Sequence, residues 1–512
     1  MRDGLRKTSE DIQAEYITLL AYIVKNSNNY SELQDMRILL ADGDDEANFF
    51  INVKHIQLHR RQRAIKRLGD FANKLSDGSI AHYLIPMIEH YVFTKEEKYR
   101  NIGNESLVCI GKLAHTVSWN QYRALLRRYI SMMKSKEELL KESVLLVNQL
   151  STSLKESLNA QRDVNLSKNV LQKLPSNIEE PESFIKNELY PTLCKILGTR
   201  NEETIVVRIP LTEALVNFIL ALSQDDTLTM LPGILTAVCQ VLRSKSEELR
   251  DAVRTTLGKV STNLGCFYLP FILRELKSAL QRGSQVHVLS FTVHHILRSL
   301  ADDMKHSDLD ESSHLLVAII MEDIFGTAGQ EKESDNYHTK MKEVKINRSY
   351  DTAELLAGNI SLGTFTEILH PIKALLMEKM NIKTQHKLDE LLRRYALGLN
   401  RNESADSKES LSLCYEVFKQ SQSQEDRKFK KRTPRKVDEK EDFFLVNLNF
   451  KNTTVQMENS IYSDTIQKFA LDLLRTVISK HRDLLQPSYV EGFMPLLKDA
   501  LESENEVVLT SA

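Results

Sequence analysis

Apolar residues along this chain fall in short helical runs, and the runs recur in a fixed order. LIPMIEHYVF carries Pro86 inside such a run, and 25 residues later Gly111 sits in VCIGKLAHTV. MLPGILTAVCQVL carries Pro232, followed after 26 residues by Gly258 in TTLGKVSTNL. HPIKALLMEKM carries Pro371, followed after 27 residues by Gly398 in YALGLN. LPFILREL repeats the opening at Pro270, 38 residues after Pro232, and FMPLLKDALESENEVVLTSA opens a further unit at Pro495. Each unit predicts one helix with an early proline, a short polar turn, and a second helix in which Arg or Lys precedes a stripe of small residues. The Leu231–Asn263 unit shows this best, with SKSEELRD as turn and cap and Arg254 ahead of LGKV. Proline is tolerated in a first helical turn because the N–H it lacks has no intrahelical partner there.

A spacing of 38 residues is close to the HEAT-repeat period of about 40–47 residues. The pattern resembles that repeat. It predicts an all-α fold, a HEAT/armadillo-like α-solenoid of stacked antiparallel helix pairs, since solenoids leave sequence periodicity and generic bundles do not. Composition agrees. Only 17 of 512 residues are Gly, about half the usual share of ~7%. No GxGxxG and no GxxxxGK[ST] is present, so nucleotide-binding α/β folds are disfavoured. Cys109, Cys194, Cys239, Cys266 and Cys414 are odd in number and widely spaced with no CxxC. That pattern reads as buried thiols and not as a disulfide framework or zinc ribbon. The longest apolar stretch, Leu315 to Met321, is far short of a membrane span, and the N-terminal MRDGLRKTSEDIQ lacks an apolar signal core.

The expected organisation is an N-terminal set of HEAT-like helices over 1–150, a polar connector over 151–177, and central repeats over 178–420. A charged loop insertion is expected near 330–350, a basic disordered linker over 421–460, and further, truncated HEAT helices over 461–512. After Pro495 the second helix stops before its small-residue stripe, without the polar cap a solenoid end needs. That predicts an excerpt of a longer chain.

The net charge of −2 excludes a globally basic nucleic-acid binder, so any electrostatic partner must be met by local patches. The strongest is KHIQLHRRQRAIKRLGDFANKL, Lys54–Leu75. On a helix, Leu58, Ile65, Leu68, Ala72 and Leu75 share a core face, while Arg60, Arg63 and Arg67, with His59 and Lys66, share the opposite arc. Arg61 falls inside the apolar arc and must snorkel or pair with an acid from a neighbouring helix. No acid lies between Lys54 and Gly69. Both a solvated face and a phosphate-binding one fit this arc, and the guanidinium fork suits phosphate. A second patch is RKFKKRTPRK, in which Arg427, Lys428, Lys430, Lys431, Arg432, Arg435 and Lys436 are basic. It reads as a nuclear localisation signal, an RNA-contacting arm or a plain charged loop. Arg123, Arg127, Arg128, Arg393 and Arg394 read as ordinary helix surface.

Enzymatic signals are sparse. His55 and His59 sit four apart, but HIQLH lacks the Glu of HExxH and no third ligand is near in sequence. Of the adjacent pair His294 and His295, one is expected to pack and one to be solvated. No GxSxG occurs. No catalytic residue, metal site or cofactor is expected.

DGDDEANFFINVKHIQLHRRQRAIKRL, YLIPMIEHYVF and SLVCIGKLAHTVSWNQYRALLRRYI, over roughly Asp42–Met133, resemble one known family in type and spacing. It is the family of large HEAT-repeat proteins of the small-subunit processome, the twentieth of the U-three-snoRNA-associated proteins, also called "down-regulated in metastasis". Elsewhere the resemblance rests on HEAT character and order of elements. Members are several times longer than 512 residues. The resemblance implies a non-catalytic scaffold in the nucleus and nucleolus. It implies contacts with pre-ribosomal RNA, the U-three snoRNA particle and other processome proteins, and a need for this protein in 18S ribosomal RNA processing. It implies no membrane and no small-molecule substrate. The other reading open at this point is an importin- or adaptor-type HEAT scaffold that binds protein cargo only.

Overall fold

The computed structural model describes residues 4–5, 9–26, 31–162, 174–175, 177–199, 201–333, 341–376, 382–403, 405–426, 448–503 and 505–512. Every regular element among them is helical. The chain divides into two compact units, Met1–Leu264 and Gly265–Ala512.

In the first unit, α1 is Glu10–Asn26, α2 Leu58–Asp70, α3 Ile85–Phe93, α4 Arg100–Ala114, α5 Trp119–Ser135 and α6 Leu140–Arg162. They are followed by α7 Tyr190–Leu197, α8 Glu202–Arg208, α9 Leu211–Leu220, α10 Gln224–Val241 and α11 Glu247–Leu264. One layer runs α2–α4–α6–α9–α11, each helix packed on the next. The partner helices α3, α5, α7 and α10 lie against α4, α6 and α9. This is a stack of antiparallel helix pairs in which most contacts are between neighbours.

The prolines mark the first helix of each pair, but not always its start. Pro86 and Pro191 are the second residues of α3 and α7, yet a π-turn precedes each, over Ile80–Leu84 and Ile185–Leu189. Each π-turn joins to a short helix before it, Asp77–Ser79 and Glu179–Phe184. A proline inside a helix lacks one N–H and crowds the preceding turn. The wider turn relieves both and lets the helix continue through it. Pro232, expected early, lies inside α10. Ser223 accepts the Asp226 N–H at 3.2 Å and starts that helix two turns ahead of the proline.

Buried arginines close the turns between paired helices. Arg208, 2% exposed, donates to the carbonyls of Ile196 and Leu197 at the end of α7, both at 3.0 Å, and to that of Thr199 at 2.7 Å. Arg250, also 2% exposed, donates to the carbonyls of Ser244 and Lys245 at 3.0 Å. These are the orphan carbonyls left where a helix ends, and burying them unpaired costs about 1–3 kcal/mol each.

Residues 151–162, assigned to the connector by sequence, continue α6. Their serines keep the helix close to its neighbours. Ser153 Oγ donates to the Gly111 carbonyl of α4 at 3.2 Å, and Ser151 Oγ accepts from Asn217 of α9 at 3.1 Å. Buried Leu154 and Leu158 carry the apolar stripe between them.

In the second unit, α12 is Leu269–Ala279, α13 Gln285–Leu300, α14 Ser313–Ile324, α15 Thr327–Glu333, α16 Ser349–Gly358 and α17 Leu362–Ile368. Next come α18 Ile382–Arg401, α19 Ser407–Asp426, α20 Leu448–Lys480 and α21 Met494–Leu501. One layer runs α13–α16–α18–α20, with α14 against α16 and α19 against α20. The charged stretch near 330–350 carries α15 and a short helix Lys342–Lys345. Lys332 of α15 is anchored to the fully buried Asp323 at 2.8 Å. The helices α16 and α18 cross most closely at Gly398, where a Cβ would land on the Glu354 carbonyl and lie 2.7 Å from the Ala357 methyl.

Cys109, Cys239 and Cys414 are buried, and Cys194 and Cys266 half-buried, all as free thiols. His294 and His295 are both half-buried, not one packed and one solvated, because α16 covers that side of α13 and Thr352 reaches His294 Nδ1 at 3.3 Å.

The close crossing sets a prediction. Gly398→Ala lowers stability by about 1–3 kcal/mol, as overpacking does. Gly363→Ala, on α17 with open space around it, stabilises by up to about 1 kcal/mol through helix propensity. Denaturant midpoints of the two variants check the opposite signs.

Candidate nucleic-acid interface

The arginine-rich helix α2 is strongly two-faced. Ala64, Ile65 and Leu68 are buried against α4, with Ile65 and Leu68 fully enclosed. Leu58, expected in the core, is only half-buried because it begins the helix. Ala72 and Leu75 are buried beyond its end.

Arg61 resolves as the sequence required, by pairing inward. Its Nε donates to the His55 carbonyl at 2.6 Å, and Nη1 reaches Glu10 Oε1 of α1 at 3.2 Å. The guanidinium lies over Tyr91 and Tyr99, 5.8 and 5.5 Å from the ring centres. Burial opposes its charge, but Tyr91 and Glu10 outweigh burial and hold its pKa above the usual guanidinium value. Arg61 is therefore a structural cation that staples α1 to α2.

The opposite arc carries His59, Arg60, Arg63, Lys66 and Arg67. Its acid-free appearance is a property of the local sequence only. The chain before α2 turns through three consecutive left-handed residues, Ala41, Asp42 and Gly43. This brings the exposed Asp44–Glu46 over the arginine face. Asn52 pins that loop by donating to the carbonyls of Asp45 and Asn48, both at 2.7 Å, and Glu46 at 3.2 Å. Arg60 then meets Glu46 Oε1 at 3.4 Å, and Arg67 Nη1 meets the Glu46 carbonyl at 3.4 Å. Arg63 and Lys66 have no ion-pair partner among the described residues and are exposed, as are His59 and Arg67. The cations without a carboxylate partner among the described residues are thus Arg63, Lys66 and Arg67, with Arg60 shared with the acidic loop. They lie within two turns of a helix anchored by its core face, so their spacing is fixed. Such an array presents guanidinium forks to a phosphate backbone and carries no base-reading geometry.

His55 Nδ1 accepts the Gln57 N–H at 3.0 Å and so belongs to the turn before α2. Among the described residues no group of three or more His, Cys, Asp or Glu side chains could hold a metal. No described helix is long and apolar enough to cross a membrane. Arg427, Lys428, Lys430, Lys431, Arg432, Arg435 and Lys436 lie outside the described residues.

The smaller arginine groups are paired across helices. Arg123 meets Glu180 at 3.1 Å, Arg127 grips Glu188 through two bonds of 2.6 Å, and Arg128 meets the buried Glu89 at 2.5 Å. In α18, Arg393 and Arg394 both bond Glu390, at 2.7 and 2.8 Å. The Arg393 hydrogen bond, followed by that of Arg394, overcomes burial and draws the Glu390 carboxyl down to about 2.

Residues 199–418 match the family model of the U3 small nucleolar RNA-associated protein 20 domain. Over all 512 residues the chain is 58% identical to the Saccharomyces cerevisiae protein named U3 small nucleolar RNA-associated protein 20, covering 100% of this chain and 20% of that protein. The Schizosaccharomyces pombe protein of the same name is 32% identical over 536 residues, with the same coverage. The chain thus spans about a fifth of the length of these relatives. A solved structure of importin beta is similar at 11% identity and a TM-score of 0.31, over 100% of this chain and 66% of that one.

Glu390 gives a pH prediction. A depressed folded pKa stabilises the folded chain above the ordinary carboxylate range, and the stabilisation is lost as pH falls towards 2. Wild type therefore exceeds Glu390→Gln in stability at neutral pH, by no more than about 1 kcal/mol for a part-exposed pair. The gap closes between about pH 5 and 2. Urea titrations of both proteins across that range check it.

Proposed function

We propose that this chain, which belongs to the U3 small nucleolar RNA-associated protein 20 family, is part of a non-catalytic scaffold of the small-subunit processome. In this reading it serves pre-rRNA processing and maturation of 18S ribosomal RNA in the nucleus and nucleolus. Its partners are pre-ribosomal RNA, the U3 snoRNA particle and other processome proteins. The observation that carries the reading is the 58% identity over the whole chain to a protein of that name. The name supports an RNA-linked scaffold and not a cargo adaptor. The stacked helix pairs supply long surfaces suited to binding.

Within that scaffold α2 is the RNA contact. Arg63, Lys66 and Arg67 engage phosphates of structured RNA by shape and not by sequence. Replacing all three with Glu weakens binding of a ribosomal-RNA hairpin and lowers the slope of log affinity against log salt by about 2–3, since fewer counterions are released. Helicity and melting stay near wild type because the core face is untouched. Arg61→Ala gives the converse, a loss of about 2 kcal/mol in stability from its buried bonds with no change in salt slope. Anisotropy titrations at two salt concentrations read both. Equal affinity and slope for wild type and the triple variant would leave α2 a solvated face.

The basic stretch 427–436 is proposed to assist nuclear entry, on its charge density around Pro434. Alanine at Lys430, Lys431 and Arg432 should shift a tagged chain towards the cytoplasm. An unchanged distribution removes the import role from this stretch.

A further inference from the structure

Four arginines of the second unit converge on one groove of about 450 Å³. Arg298 comes from α13, Arg348 from the residue before α16, and Arg394 and Arg401 from α18. The Gly398 crossing of α16 and α18 brings the last two against α16. Two carboxylates of α16 aim them. Asp351 takes Arg348 at 3.1 Å and Arg394 at 3.2 Å, and Glu354 takes Arg394 at 2.9 Å and Arg401 at 2.5 Å.

The charges do not balance. Four guanidinium groups face two carboxylates among the lining residues, and Glu390 behind them, which also takes Arg394, is matched by Arg393. His294 adds no charge at neutral pH, because burial lowers its pKa. Arg298 is exposed and pairs with no carboxylate among the described residues, and the Arg401 side chain is 73% exposed. Here the excess points into solvent from a concave wall, where charge of one sign is focused. The carboxylates fix the forks of Arg348, Arg394 and Arg401 in place, so an anion meets groups that lose little freedom on binding.

We propose that this groove binds two successive phosphates of an RNA backbone. The excess of two positive charges matches two singly charged phosphodiesters, and guanidinium forks fit their oxygens bidentately. The assignment rests on the reading of the chain as an RNA-contacting scaffold. It adds a site that the sequence hides, because its arginines are scattered from 298 to 401.

The test uses the whole chain, a fluorescein-labelled ribosomal-RNA hairpin and anisotropy at several salt concentrations. Arg298→Gln combined with Arg401→Gln should weaken binding roughly tenfold and reduce the salt slope by about 2. Both side chains are exposed, so the melting temperature should hold. Arg274→Gln, an exposed arginine of the same unit outside the groove, should change neither quantity. Unchanged affinity in the double variant overturns the proposal, as does an equal loss in Arg274→Gln. A double variant that keeps RNA but loses binding to polyglutamate overturns it in favour of an acidic protein partner. Testing the α2 triple variant alongside separates the two sites. Loss in the groove variant alone keeps this site and removes α2, whereas loss in the α2 variant alone removes this site.

Discussion

Each helix pair must end one helix, turn, and start the next inside a packed stack, where the freed carbonyls are cut off from water. Buried arginine meets this requirement. Arg208 and Arg250 lie almost wholly inside, each spending its guanidinium N–H groups on carbonyls of the turn it follows. Arg61 does the same for the turn before α2 and adds Glu10 and two tyrosine rings. An unpaired carbonyl costs about as much as a lost hydrogen bond, so these contacts fix where each helix starts and which face turns inward. The outward faces follow from that choice. With Arg61 held inside, Arg63, Lys66 and Arg67 have no direction left but outward.

Much of this was legible in the sequence. The spacing from Pro86 to Gly111 and from Pro232 to Gly258 marks a helix pair, and the shortage of glycine disfavours the nucleotide-binding sheets. The position of Arg61 in an apolar arc required it to snorkel or to pair with an acid from a neighbouring helix, and Glu10 of α1 is that acid. Gly398 was visible as part of a small-residue stripe, and the structure gives it a reason in the backbone approach of α16.

What the sequence concealed is non-local. The π-turns before Pro86 and Pro191 are set by the helices that run into them, and no residue type announces them. The acidic Asp44–Glu46 is in plain view, but only the left-handed turn at Ala41–Gly43 lays it over Arg60 and Arg67. The run from Lys54 to Gly69 contains no acid to suggest this. The α18 arginines look like surface on their own helix. Their role appears only when Asp351 and Glu354 of another helix are placed beside them. Periodicity reports which face of a helix is buried, not which distant side chain will face it.

The cations on α2 and in the groove are held by packing and by carboxylates, so they suit a ligand read by charge and shape. The central claim is that the exposed cations of α2 touch RNA while Arg61 does not. Ultraviolet crosslinking in cells, with the linked peptides identified by mass spectrometry, tests it most directly. The account predicts nucleotide adducts on the segment spanning His59 to Arg67, confined to its outward residues. Adducts elsewhere on the chain, with none on that segment, would contradict it.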